Sequence, residues 1–245
     1  MTPARSWNVA AGELFFRYRN TLFPVAFALV FLVIRPQVMF GSPAADRLLV
    51  IAGACVALLG GAVRLMTIGF EYIDRGGKNG KVWASRLVQG GIYARVRNPM
   101  YAGNLLIALG VCMAAGSPAA YLVVFPFFVF VYQAIIAAEE AYLRGKFGAE
   151  YDAYCARVPS LIPNLRSAHS APAGVRYHWK RAVRQDLSTM LGLLLGLGFL
   201  PVWRTFFLVG WKADELLLPY GAVYAAVVLT AYAILYWLKR QHKLQ

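Results

Sequence analysis

The chain has 245 residues, of which 60% are hydrophobic and 15% are charged, and its mean hydropathy is +0.54. Soluble domains carry roughly 25% charged residues, so the composition excludes an ordinary soluble protein and indicates a membrane protein. A net charge of +14 would suggest nucleic acid in a soluble protein. Here the basic residues lie between long apolar runs, where anionic headgroups explain them better. We therefore expect contacts with membrane lipids and no nucleic-acid partner.

The first apolar segment, residues 21–34, follows three arginines and is fourteen residues long. A helix needs roughly 20 residues to cross the hydrocarbon core. The segment could be the apolar region of a signal peptide, but no clear cleavage site of small residues follows it. We therefore expect a retained helix that continues toward Phe40, with Arg35 extending to the membrane surface.

Five further apolar segments predict membrane helices, and Gly116-Ser117-Pro118 divides the middle pair into a hairpin. These segments are residues 48–70, 100–116, 118–138, 187–203 and 216–238. A helix over 139–154 should extend from the hairpin out of the bilayer. The prediction is an all-α, multi-pass transmembrane helical bundle of about six spans.

The loops carry an asymmetric distribution of positive charge. Of the 25 Lys and Arg residues, 21 fall in one alternating set of connections and four fall in the other. Because positive loops stay inside, both termini and the polar blocks described below should lie on the cytoplasmic side.

Two other patterns in the chain do not predict a site. The connection over 71–97 contains RGGKNGK but lacks both nucleotide-binding glycine patterns, so we expect a flexible loop there. The three cysteines have neither pairing nor metal-ligand spacing, so we predict no disulfide and no metal site.

The first polar block contains Tyr93, Arg97, Asn98, Pro99 and Tyr101. Proline suits the first turn of a helix, so Pro99 marks the entry of a membrane helix. Free backbone N–H groups and the positive end of the helix dipole gather there and favour an anionic group. The alternative is an interfacial anchor, because arginine and tyrosine are common at headgroup level.

The second polar block begins with Glu139 and Glu140, where the hairpin's second helix leaves the apolar run. Carboxylates at this depth are costly if they are buried, so they indicate a site if they face inward. Alternatively, Glu140 forms an ordinary surface ion pair with Arg144, four residues later on the helix.

In order and spacing, the two blocks resemble the isoprenylcysteine carboxyl methyltransferase family, which is similar in turn to phospholipid N-methyltransferases with the same membrane fold. The resemblance covers about residues 48–163. Asn98 stands where the family usually has histidine, which keeps hydrogen bonding but removes a titrating imidazole. The matching residues are Gly91, Tyr93, Arg97, Pro99, Tyr101, Glu139, Glu140, Leu143, Phe147, Gly148, Tyr151, Tyr154, Val158 and Pro159.

The resemblance implies S-adenosylmethionine as the methyl donor and a lipid-like acceptor, which meet in a cytoplasmic-side cofactor pocket. It implies a catalytic role for Arg97, which would orient an acceptor carboxylate or phosphate, and for Glu140, which would act as the base if the acceptor were an amine. Candidate acceptors are an isoprenylated cysteine carboxylate, a phospholipid amine and another isoprenoid acid. The residues that would bind the cofactor are Tyr93, Asn98, Pro99, Tyr101, Glu139 and Glu140.

The predicted organisation is an N-terminal segment with the first helix (1–47), a methyltransferase-like membrane core (48–163), and a basic connection with two more helices (164–245). The last part lies outside the resemblance and would shape the lipid pocket, form an oligomer contact, or do neither. Two other functions are considered: a membrane reductase of the sterol type that uses NADPH, and a non-catalytic lipid-binding or transport protein.

Overall fold

A computed structural model describes residues 6–70, 75–78, 81–163, 176–209 and 214–241. This part of the chain is nearly all helical, as predicted. It contains seven α-helices: α1 (Trp7–Val33), α2 (Pro43–Phe70), α3 (Pro99–Ala115), α4 (Phe125–Phe147), α5 (Ala149–Arg157), α6 (Trp179–Val209) and α7 (Asp214–Arg240).

The all-α prediction needs one correction, because the connection expected to be a loop contains an antiparallel hairpin of β1 (Arg75–Lys78) and β2 (Lys81–Ala84). Val82 packs against the aromatic cluster between α1 and α4, and Ala84 is fully buried beside the end of α4. This half-buried alternation stabilises a short strand in a segment whose glycines suggested flexibility.

Within the ranges that the structure describes, four helices are long and apolar enough to cross a membrane: Pro43–Phe70, Ala120–Phe147, Trp179–Val209 and Leu217–Arg240. α3 is apolar but shorter. The protein is therefore a multi-pass helical membrane protein. Residues 164–175, in the basic connection predicted to lie on the same side as the polar blocks, are outside the described residues.

The predicted continuation of the first helix to Phe40 is wrong, because α1 ends at Val33. Beyond it, the backbone N–H of Gln37 donates to the carbonyl oxygen of Gly116 at 2.8 Å. This contact holds the chain in an extended path across the end of α3.

The predicted hairpin is confirmed. α3 ends at Ala115, and Gly116 adopts a left-handed conformation with φ of 59° that favours glycine. A π-helical turn over Ala120–Val124 then leads into α4.

The single helix predicted over 139–154 is wrong, because Gly148, with φ of 53°, ends α4 and begins α5. The apolar stripe that crosses this break nevertheless stays together. Leu143, Tyr151 and Tyr154 are buried in one cluster with Ala84 and Val158.

α2 and α3 pack through glycines that repeat every seven residues. A Cβ added to Gly60 would lie 2.5 Å from the carbonyl oxygen of Gly103. A Cβ on Gly110 would lie 2.4 Å from the backbone nitrogen of Ala57. The two backbones therefore touch directly, a form of contact that small residues allow between membrane helices.

Two buried ion pairs hold α6 against α2. Asp46 pairs with Arg204 at 2.6 Å, and Arg64 pairs with Asp186. Eighteen residues separate the two charged positions on each helix, which corresponds to about 27 Å. The helices are therefore antiparallel, and the pairs lie near opposite ends of a layer about as thick as the hydrocarbon core.

Arg204 also contacts the turn between the two arms of the hairpin. Its Nη1 donates to the carbonyl oxygen of Ala115 at 2.6 Å, at the C-terminal end of α3. A cation is favoured there because helix carbonyl groups are left without partners.

Candidate active site

The fold brings the two polar blocks into direct contact. The hydroxyl of Tyr101, in the first turn of α3, donates to Oε1 of Glu139 on α4 at 2.6 Å. Nδ2 of Asn98, which precedes the same helix, donates to Oε1 of Glu140 at 3.1 Å. Residues about forty apart in sequence therefore form one cluster, as the hairpin prediction required.

Arg97 and Glu140 form a partly buried ion pair. Nε and Nη2 of Arg97 lie 3.2 and 3.0 Å from Oε1 of Glu140. Nη1 donates to the carbonyl oxygens of Cys155 at 3.1 Å and Val158 at 2.6 Å. The surface pair considered between Glu140 and Arg144 is not formed, because Arg144 bonds to Asp152 at 2.8 Å.

The chain after α5 folds back against the entry of α3. The backbone N–H groups of Arg97 and Asn98 donate to the carbonyl oxygens of Pro159 and Ser160 at 2.9 and 3.0 Å. The Ser160 hydroxyl accepts from Nδ2 of Asn98 at 3.1 Å. These bonds fix the loop before α3 in the position where its side chains meet α4.

Two buried tyrosines of α5, Tyr151 and Tyr154, lie next to this loop. The hydroxyl of Tyr154 donates to the carbonyl oxygen of Tyr93 at 2.7 Å. Burial, and then the negative charge of Glu140, raises the pKa of the Tyr151 phenol above its ordinary value. Tyr151 therefore stays neutral at physiological pH and leaves the charge balance of the Arg97–Glu140 pair unchanged.

A cavity of about 290 Å³ lies against the cluster. Four of the predicted cofactor-binding residues line it: Tyr93, Asn98, Tyr101 and Glu139. Glu139 is only 6% exposed, so a carboxylate oxygen bonded to Tyr101 borders the cavity at a site that is largely shielded from water.

The other three predicted site residues lie beside the cavity without lining it. Pro99 is buried at the first turn of α3. Arg97 and Glu140 face each other and the segment after α5. The catalytic roles predicted for Arg97 and Glu140 stay predictions. In the structure, Arg97 bonds to Glu140, and Glu140 accepts a hydrogen bond from Asn98.

Polar residues that the motifs did not single out complete the cavity wall. Arg64 of α2 bonds through Nε to Oδ2 of Asp186 on α6 at 3.0 Å, and through Nη1 to Oδ1 of Asn104 on α3. All three side chains line the cavity. The available signal was their position, because charged residues inside apolar helices mark functional sites by default.

A second cavity of about 700 Å³ adjoins the first. Both are lined by Arg19, Phe23, Arg64, Asn104 and Tyr132. Away from these shared residues the second cavity is mainly apolar and runs between α1, α3 and α6. A polar cavity and an apolar cavity therefore meet at one set of side chains.

Comparison with known proteins identifies relatives of this region. Residues 48–150 match the family model for phospholipid methyltransferases. Protein-S-isoprenylcysteine O-methyltransferase of Schizosaccharomyces pombe is 42% identical over 77 residues, which are 31% of this chain and 33% of that protein. The chain thus aligns with about a third of this curated relative's length. No solved structure matches the chain at a significant level.

These matches confirm the resemblance read from the two polar blocks. The family model includes the hairpin and Glu139 but ends before the segment over 158–160 that closes the site. Residues 48–150 are thus similar to the phospholipid methyltransferase family, and part of the chain is similar to an isoprenylcysteine methyltransferase.

Proposed function

We propose that the protein is an integral membrane methyltransferase that transfers a methyl group from S-adenosylmethionine to a lipid-like acceptor. The observation that carries this proposal is the position of Glu139 and Tyr101. They lie on the wall of a polar cavity that joins a larger apolar cavity. A water-soluble donor and a lipid-like acceptor have adjoining sites in such an arrangement.

The residues around the first cavity fit the donor chemically. The Glu139 carboxylate can accept hydrogen bonds from ribose hydroxyls or from an ammonium group. The rings of Tyr93 and Tyr101 can attract a cation. S-adenosylmethionine, when bound, supplies an electrophilic methyl group on a positively charged sulfur. The cavity volume is close to the lower end of the roughly 300–1,000 Å³ found for small-molecule sites.

The environment of Glu140 favours a carboxylate acceptor over an amine. A carboxylate is already ionised at neutral pH and needs no base, whereas an amine requires one. Glu140, predicted for that role, is held by Arg97 and Asn98. The protein's contribution is then alignment of the reacting groups and exclusion of water.

We assign Arg97 and Glu140 as positioning residues. Glu140 fixes the amide of Asn98, which lines the cavity, and Arg97 fixes Glu140. The predicted contact between Arg97 and an acceptor would require its guanidinium to exchange some of its bonds to Glu140, Cys155 and Val158.

We also propose six spans, with both termini and the site on the cytoplasmic side. In this arrangement α1 and α3 cross together with the four helices that are long and apolar enough to span a membrane. The distribution of Lys and Arg among the connections supports the orientation. The pairs Arg64–Asp186 and Asp46–Arg204 fit it, because they lie near opposite ends of α2 and α6.

The test is turnover by the purified protein in lipid nanodiscs with methyl-labelled donor and total membrane lipids. We expect release of S-adenosylhomocysteine and a labelled lipid identifiable by mass spectrometry. Glu139→Gln should lose donor binding in calorimetry, whereas Glu150→Gln, at an exposed position on α5, should keep it. Binding of NADPH without donor binding would favour the reductase. Donor binding without product for any lipid would favour a non-catalytic protein.

A further inference from the structure

The second cavity has the shape and polarity of a site for a single amphiphile. Its polar end is formed by Arg19, Arg64, Asn104 and Thr189. Its lining continues along α1 from Arg19 to Phe31, twelve residues further, which corresponds to about 18 Å of helix. The apolar lining includes Phe23, Phe27, Phe31, Ile107, Val111 and Leu193.

The two cations at the polar end differ in their partners. The guanidinium of Arg64 bonds to both carboxylate oxygens of Asp186, which balances its charge. Arg19 lies over the ring of Phe16, with 4.0 Å between its Cζ and the ring centroid. Among the described residues, no ion pair includes Arg19. Arg19 therefore places a cation outside the described ion pairs at the junction of the two cavities, while the Glu139 carboxylate that lines the first cavity bonds to Tyr101.

Two glycines on α6 leave room along the apolar part. Gly192 and Gly196 both line the cavity, and a Cβ added to either would meet no atom within 4 Å. The first carbon of a side chain at either position therefore has open space beside the cavity. The two glycines of α6, outside the region that matches the family, therefore add to the width available to an occupant.

From these observations we propose that the second cavity binds the apolar tail of an anionic lipid-like acceptor, that Arg19 holds its anionic group beside the first cavity, and that Gly192 and Gly196 determine the tail it accepts. That the bound lipid is a methyl acceptor rests on the proposed function. The binding site itself follows from the cavity and its charge.

Binding without donor tests the site separately from methyl transfer. The probes are single-chain carboxylate amphiphiles with short and long tails, and the neutral methyl ester of each, added to the protein in nanodiscs. Arg19→Ala should weaken carboxylate binding about tenfold, as expected for loss of a charge-assisted contact, and leave the ester unchanged. Arg17→Ala, at an exposed arginine nearby, is the matched control.

Gly192→Leu and Gly196→Leu should weaken the long-tailed probes more than the short-tailed ones, with no loss of donor affinity. Gly145→Leu is the matched control, because that glycine also has open space around it but lies outside both cavities. Equal binding of carboxylate and ester by the original protein, or unchanged long-tail binding by both α6 variants, would overturn the proposal.

Competition distinguishes two sources of the anionic group. Vesicles of phosphatidylethanolamine that displace the carboxylate probe in an Arg19-dependent manner would identify a phospholipid phosphate, and absence of displacement would identify a carboxylate acceptor. If the probes bind as expected and no S-adenosylhomocysteine is released with any of them, the site stands and the proposed methyl transfer fails.

Discussion

The hydroxyl of Tyr101 lies 2.6 Å from Oε1 of Glu139, and this hydrogen bond joins the entry of α3 to α4 at the wall of the polar cavity. The Tyr101 ring and the Glu139 carboxylate lie on separate arms of the hairpin, and the hydrogen bond holds each of them in one orientation. A ligand in the cavity would meet a carboxylate whose position is already fixed, which lowers the cost of ordering it on binding.

Tyr101→Phe should weaken donor binding about tenfold while the protein stays folded. The variant removes one hydrogen bond to a carboxylate, which contributes about 1.5–3 kcal/mol, and keeps the ring. Calorimetry with S-adenosylmethionine measures the change. Tyr220→Phe, at a tyrosine that is 70% exposed on α7, should bind the donor normally. Equal affinity of the Tyr101 and Tyr220 variants would remove Tyr101 from the donor site.

The Arg97–Glu140 pair should show strong coupling in a double-mutant cycle. Arg97→Ala and Glu140→Ala each leave one partly buried charge without its partner, so each should lower the free energy of unfolding by about 3 kcal/mol. The double variant should recover about 1–3 kcal/mol relative to the sum. Thermal or denaturant unfolding in detergent measures these values.

The same variants separate positioning from direct catalysis. If the pair acts through Asn98, Arg97→Lys should retain part of the stability and part of the donor affinity. The loss of stability and the loss of donor affinity should then be of similar size. A large loss of turnover at unchanged stability and donor affinity would instead place Arg97 in contact with the acceptor.

The proposed orientation predicts opposite accessibility at the two ends of the hairpin region. Ala153→Cys on α5 should react with a membrane-impermeant maleimide only in inverted vesicles, and Pro118→Cys at the hairpin turn only in right-side-out vesicles. Both positions are exposed. The background should replace Cys55 and Cys155, which are not buried. Labelling of both positions from one side would contradict the crossing of α4.

Gly60→Leu should destabilise the protein strongly. The new side chain would strike the backbone of Gly103. A backbone cannot move aside as a side chain can, so α2 and α3 must separate. We expect a loss of at least about 2 kcal/mol, at the upper part of the range for overpacking. Gly145→Leu, in open space on α4, should be neutral or slightly stabilising because leucine favours helix.

The motifs predicted the meeting of the two blocks because the hairpin fixes it. Gly116-Ser117-Pro118 reverses the chain, and arms of similar length return residues 97–101 to Glu139 and Glu140. Which glutamate would face the cavity was not predictable. Adjacent helical residues point about 100° apart, and only the packing of α4 against α1 and α3 decides between them.

The contribution of α6 to the cavity could not be predicted from local sequence patterns either. Arg64 and Asp186 are 122 residues apart, and no periodicity connects them. The path of the chain after α1 was equally unpredictable, since a long-range bond from Gln37 to Gly116 holds it. The strand pair was missed because its four-residue strands are too short for a clear alternation.

The direct contact of backbones between α2 and α3 fixes the spacing of these two helices. Gly60 and Gly103 meet without side chains between them, so Ile107 and Val111, the α3 residues that line the second cavity, project from a backbone held in position. A change in the molecules accepted must therefore come from the lining side chains and not from a shift of α2 against α3, so a laboratory search for altered selectivity should first randomise the lining positions on α1, α3 and α6.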